Sequence, residues 1–141
     1  MVVDLSSRER KALILNPVIK ELYEGRDDKY ERFVIKLYNT FCGDGGHETV
    51  QPDNYTTGSC KFKKDPMRGI GFVIDDGNVS IAVVTIAWHK NIKKKISGGQ
   101  MNAAKNKARS QYKELDKENT DGLNAFIDSA IEDAEKLVLE C

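Results

Sequence analysis

A chain of 141 residues with 40% hydrophobic and 31% charged side chains is long enough to bury a core without disulfide or metal staples and too apolar to be read as disordered. Its longest apolar stretch, Ile81 to Trp88, is interrupted by Thr85 and is far shorter than the roughly 20 residues of a bilayer-spanning helix. The 22 basic and 22 acidic residues cancel, so any electrostatic function rests on how the two signs are distributed and not on their sum.

One domain, 1–141, is expected. Met1 to Arg10 carries acids and arginines where a signal peptide needs an apolar run, which points to a cytoplasmic protein. Cys42, Cys60 and Cys141 are odd in number and show no CxxC spacing, arguing against a disulfide framework and a standard zinc site. They read as reduced thiols.

Helices are predicted over 6–42. Ser6 or Ser7 is placed to cap a first one, in which Leu13, Ile14, Val18 and Leu22 recur at helical spacing, and Asn16 is placed to cap a shorter one that starts at Pro17 and ends at Gly25. After Asp27 or Asp28, an apolar stripe of Tyr30, Phe33, Val34, Leu37, Tyr38 and Phe41 predicts a further helix, stopped by Gly43, Gly45 and Gly46. His47 to Tyr55 is polar and reads as a loop.

Three antiparallel strands are expected over about residues 57–89. Thr57 to Lys63 is the edge strand, guarded by its lysines. Gly69 to Ile74 and Val79 to Trp88 form a hairpin around Asp75-Asp76-Gly77-Asn78. The β-branched density of Val79 to Ile86 makes the last strand central. Helices return over 100–140. The first runs from about Gln100 to Leu115 with Met101, Ala104, Ala108, Tyr112 and Leu115 on one side. Thr120 or Asp121 caps the last, whose apolar stripe continues from Leu123 to Leu137 and Val138. The order implies an α+β fold with helices covering one face of a small sheet.

The most informative feature is charge segregation. From Lys90 to Lys113 the cations Lys90, Lys93, Lys94, Lys95, Lys105, Lys107, Arg109 and Lys113 meet no acid, whereas Glu114 to Cys141 carries nine acids against Lys117 and Lys136. On a helix, Lys105, Arg109 and Lys113 stand four apart and form one positive stripe. Such a stripe suits phosphate, and Trp88 or Tyr112 nearby would offer a ring for a base to stack on. Alternatively, the stripe is a solvated face or docks on the chain's own acidic terminal helix. A double-stranded RNA-binding domain also joins a three-strand sheet to a helix that begins among lysines. The run GxGxSKKxAK of that family is missing here, with Lys93 to Lys95 preceding Ser97-Gly98-Gly99, so its function is not carried over.

Gly98 and Gly99 offer backbone amides at a helix start, where an anion can bind. The segment is neither a P-loop nor a dinucleotide fingerprint. Cys42, His47 and Glu48 share a glycine-rich stretch, but nothing in their spacing fixes a catalytic or metal geometry. Asp75 and Asp76 read as turn residues, and His89 as a rim residue. No catalytic residue, metal or cofactor is assigned. The leading expectation is a non-enzymatic binding protein whose basic block, Lys90 to Lys113, engages a phosphate-rich partner, above all nucleic acid. A second is a protein-interaction inhibitor or accessory factor of a virus or mobile element, acting through Asp128, Glu132 and Glu135. A third is a nucleotide-sequestering protein built on Gly98, Gly99, Lys95 and Arg109. Segregated charge also predicts a homo-oligomer formed head to tail, acidic helix to basic block.

Overall fold

The structure, a computed structural model, describes residues 9–16, 28–42, 51–53, 60–64, 67–89 and 98–140. Six strands and three helices follow in the order β1 (Arg10–Leu15), α1 (Asp28–Cys42), β2 (Gln51–Asp53), β3 (Cys60–Lys64), β4 (Met67–Asp75), β5 (Val79–His89), α2 (Gly98–Leu115), α3 (Thr120–Glu132) and β6 (Leu137–Glu140). The class is α+β. The strands form one mixed sheet in the order β2-β3-β4-β5-β1-β6. Strands β2 to β5 make an antiparallel meander. β1 then pairs parallel with β5, from Arg10 opposite Val79 to Leu15 opposite Val84, and β6 closes the sheet antiparallel to β1.

The run Ala12-Leu13-Ile14-Leu15 explains why β1 is extended: all four are at most 2% exposed, and a strand buries consecutive residues by sending them to opposite faces. Leu13 and Leu15 join Phe33, Val34 and Leu37 of α1, with Ala82 and Val84 of β5. Ala12 and Ile14 join Phe72, Ile81 and Val83, under Ala108 and Leu115 of α2 and Leu123, Ile127 and Ala130 of α3. α1 therefore covers one face, and α2 with α3 the other. The expectation of helices on a single face is corrected.

A β-bulge in β5 decides which residues reach which face. Ile70 pairs with Ile86 but Gly71 pairs with Val84, so Thr85 is an extra residue, and its hydroxyl donates to the Ile70 carbonyl at 2.8 Å. Alternation reverses across such an insertion. Val84 faces α1, and so does Ala87; Trp88 is sent to the other face, against Ile70 and Ala104. Gly71 has no room for a side chain, because a Cβ there would lie 1.8 Å from the Val83 carbonyl oxygen. Asn16, buried at the end of β1, ties in here: its amide N–H donates to Val84 and its side chain to the Thr85 carbonyl.

The hairpin matches expectation. Asp75 Oδ1 accepts from Gly77 N, Asp76 Oδ1 accepts from Asn78 N and Val79 N, and Gly77 takes φ 93°, the left-handed conformation that glycine adopts without strain. Helix α2 also falls where its periodicity placed it. Four other readings are corrected. Residues 10–15 are a strand and not part of a helix over 6–42; the short helix read from Pro17 lies outside the described residues. Among the described residues the sheet has six strands and not three. Of the strand read at 57–63, residues 57–59 lie outside the described residues; Cys60–Lys64 is a strand and is internal, because Gln51–Asp53, read as loop, pairs outside it. The terminal helix stops at Glu132, and Leu137–Glu140 is a strand, so 100–140 is not continuously helical. α3 ends where Asp133 turns extended, its N–H reaching back to the Ser129 and Ala130 carbonyls while its carboxylate accepts from Glu135 N.

Candidate functional site

Helix α2 lies on β4 and β5 through small residues. Ala104 and Ala108 are buried, Leu115 closes the C-terminal end, and Tyr112 meets Phe72 edge-on with centroids 6.4 Å apart. Small side chains let the helix approach the sheet closely, and one flank of it is left to solvent. Lys105 is half-buried at the margin of that seat, and Arg109 and Lys113 are exposed one and two turns beyond. Among the described residues no carboxylate lies within ion-pair distance of Lys105, Lys107, Arg109 or Lys113. At 1.5 Å of rise per residue, Lys105 to Lys113 spans about 12 Å.

The acidic residues of the following helix do not neutralise this stripe. Asp128 is engaged instead by Arg10 of β1, whose Nη2 lies 2.8 Å from Asp128 Oδ1 while its Nε lies 2.5 Å from Glu140 Oε1. Arg10 also donates to the side chain of Asn124 at 3.2 Å. The bond to Glu140, against an opposing effect of burial and with help from Asp128, raises the guanidinium pKa above its ordinary value. Glu132 is the exposed last residue of α3, and Glu135 sits in the bend after it. Asp128, Glu132 and Glu135 therefore do not form one helical stripe.

At the opposite end of α3, Asn119 is the N-cap, accepting from Gly122 N at 2.9 Å. Thr120, expected as a cap, spends its hydroxyl on Asp76 Oδ2 at 2.5 Å, and Asn78 Nδ2 reaches the same hydroxyl at 3.4 Å. Burial pushes the Asp76 carboxyl up, but the bonds from Thr120, Val79 and Asn78 outweigh it and hold the group below its ordinary value. Asp76 is thus more than a turn residue, because it pins the hairpin to α3.

Of the expected site residues, Lys105, Arg109 and Lys113 come together on one flank. Lys90, Lys93, Lys94 and Lys95 lie outside the described residues, as do His47 and Glu48. Gly98 and Gly99 are the first two residues of α2, and Arg109 is about 15 Å further along the same helix, too far to share one small phosphate group with them. Trp88 is corrected from a stacking candidate to a core residue, 9% exposed beneath Ala104, and Tyr112 is half-buried against Phe72. Asn119 as the cap of α3, the bond of Thr120 to Asp76, and Arg10 as a partner of α3 were not legible. Asn119, Thr120 and Asp121 are adjacent residues of equal capping chemistry, and Arg10 reaches α3 only because residues 10–15 are a strand.

Among the described residues no group of His, Cys, Asp or Glu is arranged to hold a metal ion, and no helix is long and apolar enough to cross a membrane. No protein-family model matches the sequence, and no curated protein or solved structure is detectably similar to it.

Proposed function

We propose that this chain is a non-enzymatic binding protein that engages nucleic acid through the basic flank of α2. The carrying observation is that Lys105, Arg109 and Lys113 line one side of a seated helix with no carboxylate in reach among the described residues, while Asp128 of the adjacent helix is occupied by Arg10. A cationic row about 12 Å long, fixed on a rigid element, meets a run of backbone phosphates without needing to reorganise. Lys90 and Lys93 to Lys95, next in sequence to the start of α2, would extend the contact. With Trp88 in the core, recognition relies on phosphate contacts more than on stacked bases, so discrimination between sequences should be weak.

The test is a titration of labelled duplex DNA and single-stranded RNA across a salt series. Counterion release gives a slope of log K against log[salt] of about −3 on duplex DNA if only the three helix cations contact phosphate, and about −6 if the four preceding lysines join them. Binding that is undetectable at low ionic strength, or that does not weaken with salt, overturns the proposal.

A further inference from the structure

The sheet ends in two edges of different character. At one, β2 reads Gln51-Pro52-Asp53; a proline lacks the N–H a new strand would need, and a charge stands beside it, both common protections of an edge. At the other, β6 reads Leu137-Val138-Leu139-Glu140 and has neither proline nor lysine within it. Its single charge, Glu140, is engaged by Arg10 from the neighbouring strand. Among the described residues no strand pairs with the outer side of β6, and Leu137, Val138 and Leu139 remain only half-buried.

The strand is also complementary to itself. Pairing β6 antiparallel with a copy about a twofold axis through Val138 sets Val138 opposite Val138, Leu137 opposite Leu139, and Lys136 opposite Glu140. Strand alternation places Val138 and Glu140 on one face, the face on which Val138 packs beside α3 and Arg10 bonds both Asp128 and Glu140; Lys136 stands in the bend immediately before the strand, next to the end of β6 where the copy's Glu140 would arrive. Leu137 and Leu139 share the other face, beside Leu13, Leu15 and Tyr38. Each copy would therefore bring an apolar centre to an apolar centre, and opposite charges to each other at both ends. The competing engagement of Lys136, with Asp133 at 3.8 Å, is at the limit of an ion pair.

We propose that β6 is the contact of a symmetric dimer, in which two copies of this chain join their sheets edge to edge. The occupant is a second copy, because the register that buries the leucines also matches Lys136 with Glu140. A contact of one short strand is small, so the dimer is expected to be weak, with a dissociation constant in roughly the micromolar to millimolar range. The proposal does not depend on nucleic-acid binding, and it differs from head-to-tail association, which would use the cations of α2.

Sedimentation velocity over a concentration series tests it, with circular dichroism melts to verify folding. The unaltered chain should shift toward dimer as concentration rises. Lys136→Glu should abolish the shift, since it sets glutamates opposite one another at both ends without removing a bond of the sheet; Glu140→Lys should do so by setting lysines together. An equimolar mixture of the two variants should dimerise, because each end then pairs a glutamate with a lysine. Reversal of Arg109 and Lys113 to glutamate should leave dimerisation unchanged. A chain that stays monomeric throughout overturns the proposal, as does a Lys136→Glu variant that dimerises like the parent, a mixture of folded variants that fails to associate, or loss of the dimer on reversing Arg109 and Lys113.

Discussion

Helices α2 and α3 cover the same face of the sheet, yet their polar side chains are used differently. α3 is fastened at both ends: Thr120 to Asp76 of the hairpin, Asn119 to its own first turn, Asn124 and Asp128 to Arg10 of β1. α2 is seated by Ala104, Ala108, Tyr112 and Leu115, and among the described residues its cations Lys105, Arg109 and Lys113 bond to nothing. Charges that hold an element in place contribute to the stability of the chain, whereas charges that hold nothing can be selected only for solubility or for a partner. The contrast directs attention to α2.

Substitutions can break or sharpen this contrast. The largest effect on stability is expected in the seat of α3: Leu123→Ala, at a position 1% exposed, should cost about 2–5 kcal/mol in denaturant unfolding. Arg10→Ala removes the shared partner of Asp128, Asn124 and Glu140 and should cost about 1 kcal/mol, since its carboxylate partners are themselves well exposed and screened. Thr120→Val, which keeps the shape and loses the hydroxyl, should cost about 0.5–1 kcal/mol. Lys105→Glu, Arg109→Glu and Lys113→Glu should each change stability by no more than about 0.5 kcal/mol. Together they should weaken binding to duplex DNA and make the slope of log K against log[salt] shallower by about 3. A triple variant that unfolds easily would show that the flank of α2 is structural after all.

The Asp76 contact also has a pH signature. Its carboxyl is held below the ordinary value of 3.8 in the folded chain, so its stabilisation is present above 3.8 and is lost as pH falls from there through the lower folded value. Asp76→Asn lacks this contribution. The gap in stability between parent and variant should narrow in that acid window and stay constant above it, as followed by urea midpoints at stepped pH.

Much of the fold was legible where structure is local. The Asp75-Asp76-Gly77-Asn78 turn carries its own bonds, and Phe33, Val34 and Leu37 of α1 and Ala104, Ala108 and Leu115 of α2 are buried where their spacing puts them. The misreadings concentrate in β1 and β6, which are neighbours in the sheet. Four successive buried residues in 12–15 fit a helical period as well as a strand, and Leu137 and Val138 continue the stripe of α3. Pairing over 120 residues of sequence separation fixes both as strands, and no window along the chain contains that information. The site was legible as charge: the spacing of Lys105, Arg109 and Lys113 placed them on one helix flank. It was not legible that Trp88 is withdrawn from them, because that follows from the bulge at Thr85.

By itself, then, the sequence determined the α+β class, the hairpin, a helix beginning near Asp28 and another from about Gln100 to Leu115, and the segregation of charge, since each depends on residues a few positions apart. Tertiary structure decided which strands adjoin, which face each helix covers, and that Asp128 serves Arg10 while the cations of α2 bond to no carboxylate among the described residues. The reason is physical. Helical period and turn chemistry act within a few residues, whereas sheet order, burial on two faces and ion pairing are settled only when distant segments compete for the same surfaces.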